Sequence, residues 1–295
     1  MHRLSLDALQ VIDAIARGGS FAAAAEEIHR TTSTLSYTVK KLEDDLGVRL
    51  FDRSGHRAAL TEHGKLLLEE GRALLDGASA LERRLRTLAQ GWEVELRIAI
   101  NELVPLKPVL AAIAEFYAAG HPTRIKLATE VLGGVWEALV RARADIAITE
   151  IPASGALDFH HRPIGAVPFV FAVAPGHPLA AGPQPIRLSA IRRHRIVAAA
   201  DSSRAEPPRS SGITAAADVL TVDSLQAKLE AQVAGLGVGF LPAALAADAI
   251  AHGKLVVLKV SAPKPKVELS VAWQSQGERP AAAWFAARLQ KIALS

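Results

Sequence analysis

Residues 20–61, SFAAAAEEIHRTTSTLSYTVKKLEDDLGVRLFDRSGHRAALT, contain two short helical patterns, a tight connection and a basic turn between apolar residues. In the first pattern the apolar positions recur at helical spacing, and they are Phe21, Ala24, Ala25 and Ile28. Ser20 is placed to cap this helix at its N-terminus. The second pattern has its own apolar stripe at Leu35, Val39, Leu42 and Leu46. This order predicts a winged helix-turn-helix, with a supporting helix, a recognition helix and a wing.

The side of the second helix opposite its apolar stripe carries small hydroxyl and cationic side chains. Small hydroxyl groups permit close approach to base edges in a major groove, and lysines reach the flanking phosphates. The acidic residues Glu43, Asp44 and Asp45 fall at the far end of the helix. The candidate DNA-contacting residues of this helix and its approach are Arg30, Thr32, Ser33, Thr34, Ser36, Tyr37, Lys40 and Lys41.

The predicted wing follows the apolar residues Leu50 and Phe51. Its turn carries Arg53 and Arg57, which we expect to contact phosphates or to enter an adjacent narrow minor groove. An amphipathic helix pair with a solvated loop remains the plain alternative, because each of these signals is weak by itself. The several signals in order favour the DNA-binding interpretation.

Longer pieces of the chain resemble the LysR-type transcriptional regulators. They are LDALQVIDAIARGGSFAAAAEEI, LSYTVKKLEDDLGVRLFDR, LTEHGKLLL, ATEVLGGVWEALVRARADIAI and AQVAGLGVGFLP, which together span nearly the whole length. The pieces SYTVKKLE, LFDRSGHR and QGWE are similar to a YhaJ-type branch of that family. The resemblance implies a DNA-binding regulator controlled by a small molecule. It also places the base-reading positions on Thr32, Ser33, Ser36 and Tyr37.

The entry to the recognition helix departs from the family pattern. Where the family often has Ser-Gln-Pro-Ala-Leu-Ser, this chain has TTSTLS at residues 31–36, and Tyr37 stands where Arg is frequent. Short hydroxyl side chains reach fewer base edges than Gln or Arg does. We therefore expect more recognition through DNA shape and phosphate contacts here.

Composition narrows the class of protein. A chain of 295 residues predicts about two domains, and the absence of Cys excludes disulfide frameworks and thiolate zinc sites. The N-terminus shows an amphipathic pattern instead of an export signal, and no apolar run reaches the length of a membrane span. We expect a cytoplasmic protein. Residues 1–61 hold eight Lys/Arg and eight Asp/Glu, so the case for DNA rests on where the charges lie and not on net charge.

Residues 62–91 show a seven-residue repeat typical of a paired helix. The candidate dimerisation residues are Leu67, Leu74, Ala78, Leu81, Leu85 and Leu88. Gly71 and Ala78 at alternate positions would let two backbones approach closely. A helix that packs only on its own domain is the alternative. The resemblance implies that this segment pairs with a second subunit, which would suit a two-fold related operator.

From residue 92 onward, strand-like and helical runs alternate, which predicts an α/β domain with parallel sheets flanked by helices. The resemblance implies a bilobed, periplasmic-binding-protein-like fold with a ligand cleft. We expect a DNA-binding domain over residues 4–61, a linker helix over 62–91 and an effector-binding domain over 92–295. Within the last, sub-domain I comprises 92–164 and 267–295, and sub-domain II comprises 165–266.

Helix N-termini at the carboxyl ends of strands offer unpaired N–H groups to a ligand. The candidate effector-binding residues at such places are Asn101, Glu102, Thr129, Leu132, Gly133, Gly134, Thr149, Asp201, Ser202, Asp223 and Ser224. Ser202, Asp223 and Ser224 have an alternative as simple helix caps. Six arginines between residues 187 and 209 favour an acidic effector, although a solvated surface explains them equally well.

Two further patterns suggest sites that we set aside. The glycines of GLGVGF at residues 235–240 follow a helix and lead into a strand, the reverse of a dinucleotide-binding order, so we interpret them as a helix end and a buried strand. Adjacent His160 and His161 point to opposite sides of an extended segment, which favours an edge strand over a metal site.

These patterns together predict a regulator without catalytic residues, metal or cofactor. Its expected partners are a pseudo-palindromic DNA duplex, a second copy of itself in a dimer or tetramer, a small organic effector of acidic or aromatic type, and RNA polymerase. A periplasmic-type binding protein would need an export signal and would lack residues 20–61. An enzyme fused to a regulatory module would need a nucleophile, and the Gly-x-Ser-x-Gly pattern is absent.

Overall fold

The computed structural model of the chain describes residues 4–52, 58–152, 159–204, 218–274 and 279–294. The chain forms two compact units, Met1–Arg86 and Thr87–Ser295. No helix in these described ranges is both long enough and apolar enough to cross a membrane.

The N-terminal unit is a three-helix core with a short hairpin and the start of a long helix. Its elements are α1 (Leu6–Gly18), α2 (Phe21–Glu27), α3 (Thr32–Leu46), β1 (Phe51–Asp52), β2 (Ala59–Leu60) and α4 (Glu62–Ala89). The two strands pair antiparallel, with Phe51 opposite Leu60. Side chains of all three helices meet Leu50 and Phe51 in one apolar core. This is the winged helix-turn-helix predicted from the sequence.

Helix ends in this unit follow the local sequence. Ser20 accepts a hydrogen bond from Ala23 N at 3.1 Å, and Thr31 accepts one from Thr34 N at 3.3 Å, so both residues cap as their types favour. Gly47 ends α3 with φ of +72°, a conformation that glycine adopts without strain. Leu46 was expected in the apolar stripe, but it is 39% exposed. It is the last residue of α3, and the chain turns away directly after it.

The first part of α4 packs closely on its own unit. Thr61 accepts a hydrogen bond from Gly64 N at 3.1 Å and donates one to Arg49 O at 2.6 Å. A Cβ atom at Gly64 would collide with the carbonyl of Leu50, and one at Gly71 would lie 2.8 Å from a methyl group of Leu9. Gly71 therefore makes room for α1 of the same chain, where the repeat pattern suggested a contact between two subunits.

The C-terminal unit has a first lobe and a second lobe, defined here by their sheets. The first lobe has β3 (Glu95–Asn101), α5 (Leu106–Ala118), β4 (Arg124–Glu130), α6 (Gly134–Val140), β5 (Ile146–Thr149), β6 (Phe159–Val167), β12 (Val267–Gln274) and α10 (Pro280–Leu289). The second lobe has β7 (Phe169–Val173), α7 (Leu188–Ile191), β8 (Ile196–Ala199), β9 (Val219–Val222), α8 (Leu225–Val233), β10 (Gly239–Pro242), α9 (Ala243–Ala251) and β11 (Val256–Val257).

The first lobe is a five-stranded sheet in the order β4-β3-β5-β12-β6. Alternate residues of its strands face opposite layers. Ile98 and Ile100 pack with residues of α5 and α10, whereas Ala99 packs with residues of α6. This alternation places helices on both faces of the sheet, as the α/β prediction required.

Strand direction differs from the prediction of parallel sheets. β3, β4 and β5 are parallel, and so are β8 and β9, but β12 runs antiparallel to both β5 and β6. The sheet β10-β7-β11 is antiparallel throughout. The physical reason is the crossing between lobes, because β12 is the returning chain and enters the first sheet from its opposite end.

The crossings between the lobes lie near residues 168 and 258–266. β6 ends at Val167 and β7 begins at Phe169, so Pro168 separates the lobes, three residues beyond the predicted position 165. The return leads through residues 258–266 into β12. His160 and His161 lie on β6 at the edge of the sheet, which confirms the edge-strand interpretation. Gly235, with φ of +74°, follows α8 and precedes β10, which confirms a helix end followed by a strand.

Candidate functional site

The face of α3 that points away from the core carries the predicted hydroxyl and lysine side chains. Leu35, Val39 and Leu42 are buried in the core. On the other side Tyr37 is 69% exposed, and Ser36 is partly exposed. The remaining predicted residues of this face are exposed, and they are Thr32, Ser33, Thr34, Lys40 and Lys41. Packing one side of α3 into the core therefore fixes these groups on one accessible surface.

Hydroxyl groups at the start of α3 already bond to one another. Thr31 Oγ1 lies 2.9 Å from Ser33 Oγ and 2.8 Å from Thr34 Oγ1. Thr38 Oγ1 donates to the carbonyl of Thr34 at 3.0 Å. Ser33 and Thr34 therefore each already have one hydroxyl partner at the start of the helix.

Arg30 has an acidic partner that the sequence did not indicate. Its guanidinium donates to both carboxylate oxygens of Asp7 at 3.0 and 2.7 Å. That hydrogen bonding lowers the pKa of Asp7 below its usual range. Both side chains remain substantially exposed. The positive charge of Arg30 is therefore partly balanced within the unit.

Glu43 has a structural role that sequence reasoning missed. It is 4% exposed, and its Oε1 accepts hydrogen bonds from Leu50 N at 2.7 Å and Phe51 N at 3.3 Å. These bonds fix the start of the wing to the recognition helix. The available signal was its position four residues after Val39, on the apolar side of the helix.

The tip of the wing, with Arg53 and Arg57, lies outside the described residues. Its two strands are in place on either side, and Arg49 at the base of the wing is exposed. The assignment of Arg53 and Arg57 rests on the sequence alone.

An apolar stripe is exposed along the later part of α4. Leu74, Leu81, Leu85 and Leu88 are each between 53% and 58% exposed, and Ala78 lies between them partly covered. Leu67, which was predicted in the same stripe, is partly buried against the core of the N-terminal unit. The alternative of packing on its own domain therefore holds for the first turns of α4, and the stripe begins at Leu74.

A cavity of about 200 Å³ lies in the C-terminal unit where the lobes meet. Asn101, Glu102 and Leu132, all predicted effector contacts, line it. Its other lining residues are Leu103, Val131, Glu150, Phe169, Ala199, Leu225, Lys228, Phe240, Lys264 and Val267. Strand ends, the two crossings and α8 thus contribute to a single site.

The glycine backbone at the start of α6 is covered by a segment of the second lobe. A Cβ atom at Gly134 would collide with Ser202 Oγ. That hydroxyl donates to Glu130 Oε2 at 2.6 Å and accepts from Val131 N at 2.9 Å, and Ser203 Oγ donates to Glu137 Oε2 at 2.6 Å. Asp201 accepts from Ser203 N at 2.9 Å. Ser202 and Ser203 therefore join the two lobes next to Gly134, and Gly133, Gly134, Asp201 and Ser202 are not among the residues that line the cavity.

The start of α8 is also occupied by protein groups. Ser224 Oγ accepts a hydrogen bond from Ala227 N at 3.2 Å. Ser224 is therefore a helix cap, as the alternative interpretation of this residue had it. Glu102 Oε2 accepts from Leu225 N at 2.7 Å. Burial raises the pKa of the Glu102 carboxyl, with that backbone bond acting against the rise. Asp223 and Thr129 are exposed, and Thr149 is 2% exposed inside the sheet.

Two lysines and two phenylalanines of the cavity were not predicted. Lys228 is 1% exposed, and Lys264 Nζ lies 4.0 Å from the centre of the Phe169 ring. Phe240 lines the same cavity. Burial lowers the pKa of Lys228 to about 7, and the nearby positive charge of Lys264 contributes. The signal in the sequence was a lysine within an otherwise buried face of α8, formed by Leu225, Lys228, Ala231 and Gln232.

The arginines proposed to add positive charge to the second lobe lie elsewhere. Arg187, Arg192 and Arg193 are exposed, and Arg195 bonds to Asp218 at 2.9 Å. Arg209 lies outside the described residues. Arg195 and Arg204 are exposed as well, so the solvated-surface alternative holds for the described arginines, and the cationic groups that line the cavity are lysines.

Comparison with known proteins matches both units to family models. Residues 6–65 match the bacterial regulatory helix-turn-helix protein of the lysR family, and residues 89–293 match the LysR substrate binding domain. The chain is 40% identical to the HTH-type transcriptional regulator YeeY of Escherichia coli over 95% of this chain and 91% of that protein. It is 38% identical to the probable HTH-type transcriptional regulator YhaJ of Escherichia coli, covering 98% and 97%. A mutant of OxyR from Corynebacterium glutamicum has the same fold, with a TM-score of 0.60 and 21% identity over 98% and 93% of the two chains.

Proposed function

The chain belongs to the LysR family of transcriptional regulators, and we propose that it binds a pseudo-palindromic operator as a dimer or tetramer. Its relatives are DNA-binding regulators and not enzymes. The observation that carries the proposal is the exposed hydroxyl and lysine face of α3, on a helix whose opposite face is buried. Every surface helix separates apolar from polar side chains, so the specific support is that the outward groups are hydroxyls and lysines, with the acidic Asp44 and Asp45 at the far end of the helix.

Each part of the N-terminal unit has a proposed task at the duplex. Thr32, Ser33, Ser36 and Tyr37 approach base edges in the major groove, with Thr34 beside them. Lys40 and Lys41 contact phosphates, and Arg30 adds a weaker contact because Asp7 shares its charge. Arg53 and Arg57 of the wing contact phosphates or the adjacent minor groove. Glu43 supports the wing through its bonds to Leu50 and Phe51.

The cavity between the lobes is the proposed effector site. Asn101, Glu102 and Leu132 line it, and Ser202 with its neighbours holds the lobes around it. An effector changes the arrangement of the lobes only if it binds one arrangement more tightly than another. Such a change would break or form the hydrogen bonds that Ser202 and Ser203 donate to the first lobe.

Self-association would use the exposed stripe of α4. Leu74, Ala78, Leu81, Leu85 and Leu88 would pair with the same residues of a second copy, since an isologous contact matches a two-fold related operator. A cytoplasmic location and contact with RNA polymerase are parts of the same proposal, because the operator and the polymerase are found there.

The test of the proposed function compares lysine variants in DNA binding. Lys40→Ala and Lys41→Ala should each weaken binding to all duplexes, by roughly tenfold at moderate salt, because each removes a charged contact. The slope of log affinity against log salt should fall by about 1 for each phosphate contact that a substitution removes. Fluorescence anisotropy over a salt series measures both quantities.

Lys65→Ala is the matched control, because Lys65 is exposed on α4 and paired with Glu62 at 2.7 Å. It should keep the affinity and the slope of the unchanged protein. Equal slopes for Lys40→Ala, Lys41→Ala and the control would contradict the assignment of α3 as the recognition helix.

A further inference from the structure

Lys228 is a buried cation at the wall of the cavity. It is 1% exposed and lines the cavity from the middle of α8. The described residues form no ion pair or hydrogen bond with its ammonium group. A buried ammonium costs free energy unless a partner compensates it. Lys228 lies at the cavity wall, where a ligand in the cavity would be such a partner.

The two acidic residues that line the cavity interact with groups other than Lys228. Glu102 accepts the backbone N–H of Leu225 at 2.7 Å, at the start of α8. The charge of Glu150 acts on Lys264, where it opposes the lowering of the pKa by burial. For Lys228, burial and the charge of Lys264 both lower the pKa and so disfavour the charged form. These two acids therefore leave the charge of Lys228 uncompensated.

The packing around Lys228 preserves this position. A Cβ atom at Gly239 would lie 3.4 Å from Lys228 Cε and 3.1 Å from both Gln232 Nε2 and the carbonyl of Val197. Gln232 lies one turn further along α8 and is fully buried, and neither of its amide atoms has a partner among the described residues. Glycine at position 239 therefore avoids crowding against Gln232 and the carbonyl of Val197, directly beside the lysine stem.

The rest of the cavity is largely apolar and aromatic. Phe169 and Phe240 contribute rings, and Leu103, Val131 and Val267 contribute aliphatic walls. The second ammonium, of Lys264, is held 4.0 Å from the centre of the Phe169 ring. An occupant that satisfies these walls has an apolar body with one negatively charged end.

We propose that the cavity binds a small organic carboxylate with an apolar or aromatic body, whose charge pairs with the ammonium group of Lys228. Lys264 remains over the Phe169 ring and near Glu150. The assignment rests on the proposed function of the cavity as the effector site, and it narrows that effector to one chemical class. Lys228 is the residue that selects for the charge, because the described residues offer it no other partner. Phe169 and Phe240 hold the apolar body.

Binding of such a ligand takes up a proton near neutral pH. Free Lys228 is about half neutral at pH 7, and a bound carboxylate favours its charged form. Lys264, Glu150 and Glu102 also line the cavity; Glu150 acts on Lys264, and Glu102 accepts the backbone N–H of Leu225. The affinity for a carboxylate should therefore be about tenfold weaker at pH 8 than at pH 6.

The test uses the full-length protein and matched pairs of probes. Benzoate, phenylacetate and hexanoate are each compared with the amide of the same skeleton, because the amide keeps the shape and removes the charge. Thermal shifts and calorimetric titrations at pH 6 and pH 8 measure binding. We expect at least one carboxylate, and not its amide, to raise the melting temperature and to show the loss of affinity at pH 8.

Variants separate charge recognition from packing. Lys228→Met keeps the length of the side chain and should lose the preference for the carboxylate together with its pH dependence. Lys254→Met, at an exposed position on the surface of the same lobe, is the matched control and should keep both.

The proposal is overturned if an amide binds as tightly as its carboxylate, if Lys228→Met retains the preference, or if no carboxylate of the set shifts the unchanged protein. Each of these results leaves the DNA-binding test of the proposed function unaffected, because that test uses no ligand. Unchanged DNA affinity and salt slope in Lys40→Ala and Lys41→Ala would instead overturn the proposed function.

Discussion

Single side chains show where sequence patterns predict structure and where they do not. The caps Ser20 and Ser224 were readable because capping depends on a residue and its neighbours three positions away. The burial of Lys228 was not readable, because it depends on β10 and on the return crossing, which are distant in sequence. Glu43 was missed for the same reason, since its partners come from the wing. Charged residues are normally exposed, and only tertiary packing identifies the exceptions.

Lys228→Met should stabilise the protein without ligand. Replacing a buried unpaired charge by an apolar side chain of similar volume is expected to raise the free energy of unfolding by about 1–4 kcal/mol at pH 7. Urea denaturation followed by fluorescence measures the change. A decrease in stability would show that the ammonium of Lys228 has a partner that the cavity geometry does not reveal.

The stability gain from Lys228→Met should also depend on pH. The folded-state pKa of about 7 lies below the ordinary value of 10.5, so the unfolded chain binds more protons between those values. The stability of the unchanged protein therefore rises with pH through this window, and the variant lacks that contribution. The difference between them should be smaller at pH 9 than at pH 7, and a constant difference would contradict the lowered pKa.

Glu43→Ala should destabilise the N-terminal unit by about 2–4 kcal/mol, because it leaves the N–H groups of Leu50 and Phe51 without their acceptor. Asp44→Ala is the control, since Asp44 is the exposed neighbour on the same helix and should change stability by less than about 0.5 kcal/mol. Chemical denaturation of both variants measures the change. Equal losses of stability in the two variants would contradict the claim that Glu43 stabilises the wing.

Among the helices and strands, periodicity predicted the kind and order of segments well. Helix α3 falls where its apolar stripe predicted it, and strands and helices alternate from residue 92 onward as the sequence indicated, because these elements have buried faces with a regular repeat. Strand direction was not predictable for the second half of the chain. Strand direction depends on which lobe the chain enters. The sequence at the two crossings, Pro168 and residues 258–266, does not indicate which lobe follows. The division of α4 between intrachain packing and an exposed stripe was likewise hidden within one continuous repeat.

The combination of Leu74→Asp and Leu81→Asp should produce monomers that bind DNA poorly. Both positions are more than half exposed, so the charges should spare the fold of one chain and disrupt an apolar contact between two. Light scattering coupled to gel filtration measures the mass. Ala73→Asp with Ser79→Asp, exposed positions away from the stripe, should leave association intact. Dimers in the first variant would exclude this stripe as the contact.

At the scale of the whole protein, the two compact units have different parts in regulation. The N-terminal unit presents groups for DNA, and the C-terminal unit encloses a cavity where two lobes meet. The family and both functions were predictable from sequence motifs. The cavity was predictable only in part, with Asn101, Glu102 and Leu132, because helix starts that seemed open are filled by Ser202 and Glu102. These side chains reach the helix starts through contacts between the lobes, which no local sequence pattern predicts.

The exposed face of α3 is proposed to read a duplex, and selection of genomic fragments by the purified full-length protein tests this role most directly. We expect enrichment of a small set of fragments that share a pseudo-palindromic site. Binding to them should weaken with salt, and the slope should fall in Lys40→Ala and Lys41→Ala but not in Lys65→Ala. Absence of any preferred fragment, even at low ionic strength, would contradict this role of α3.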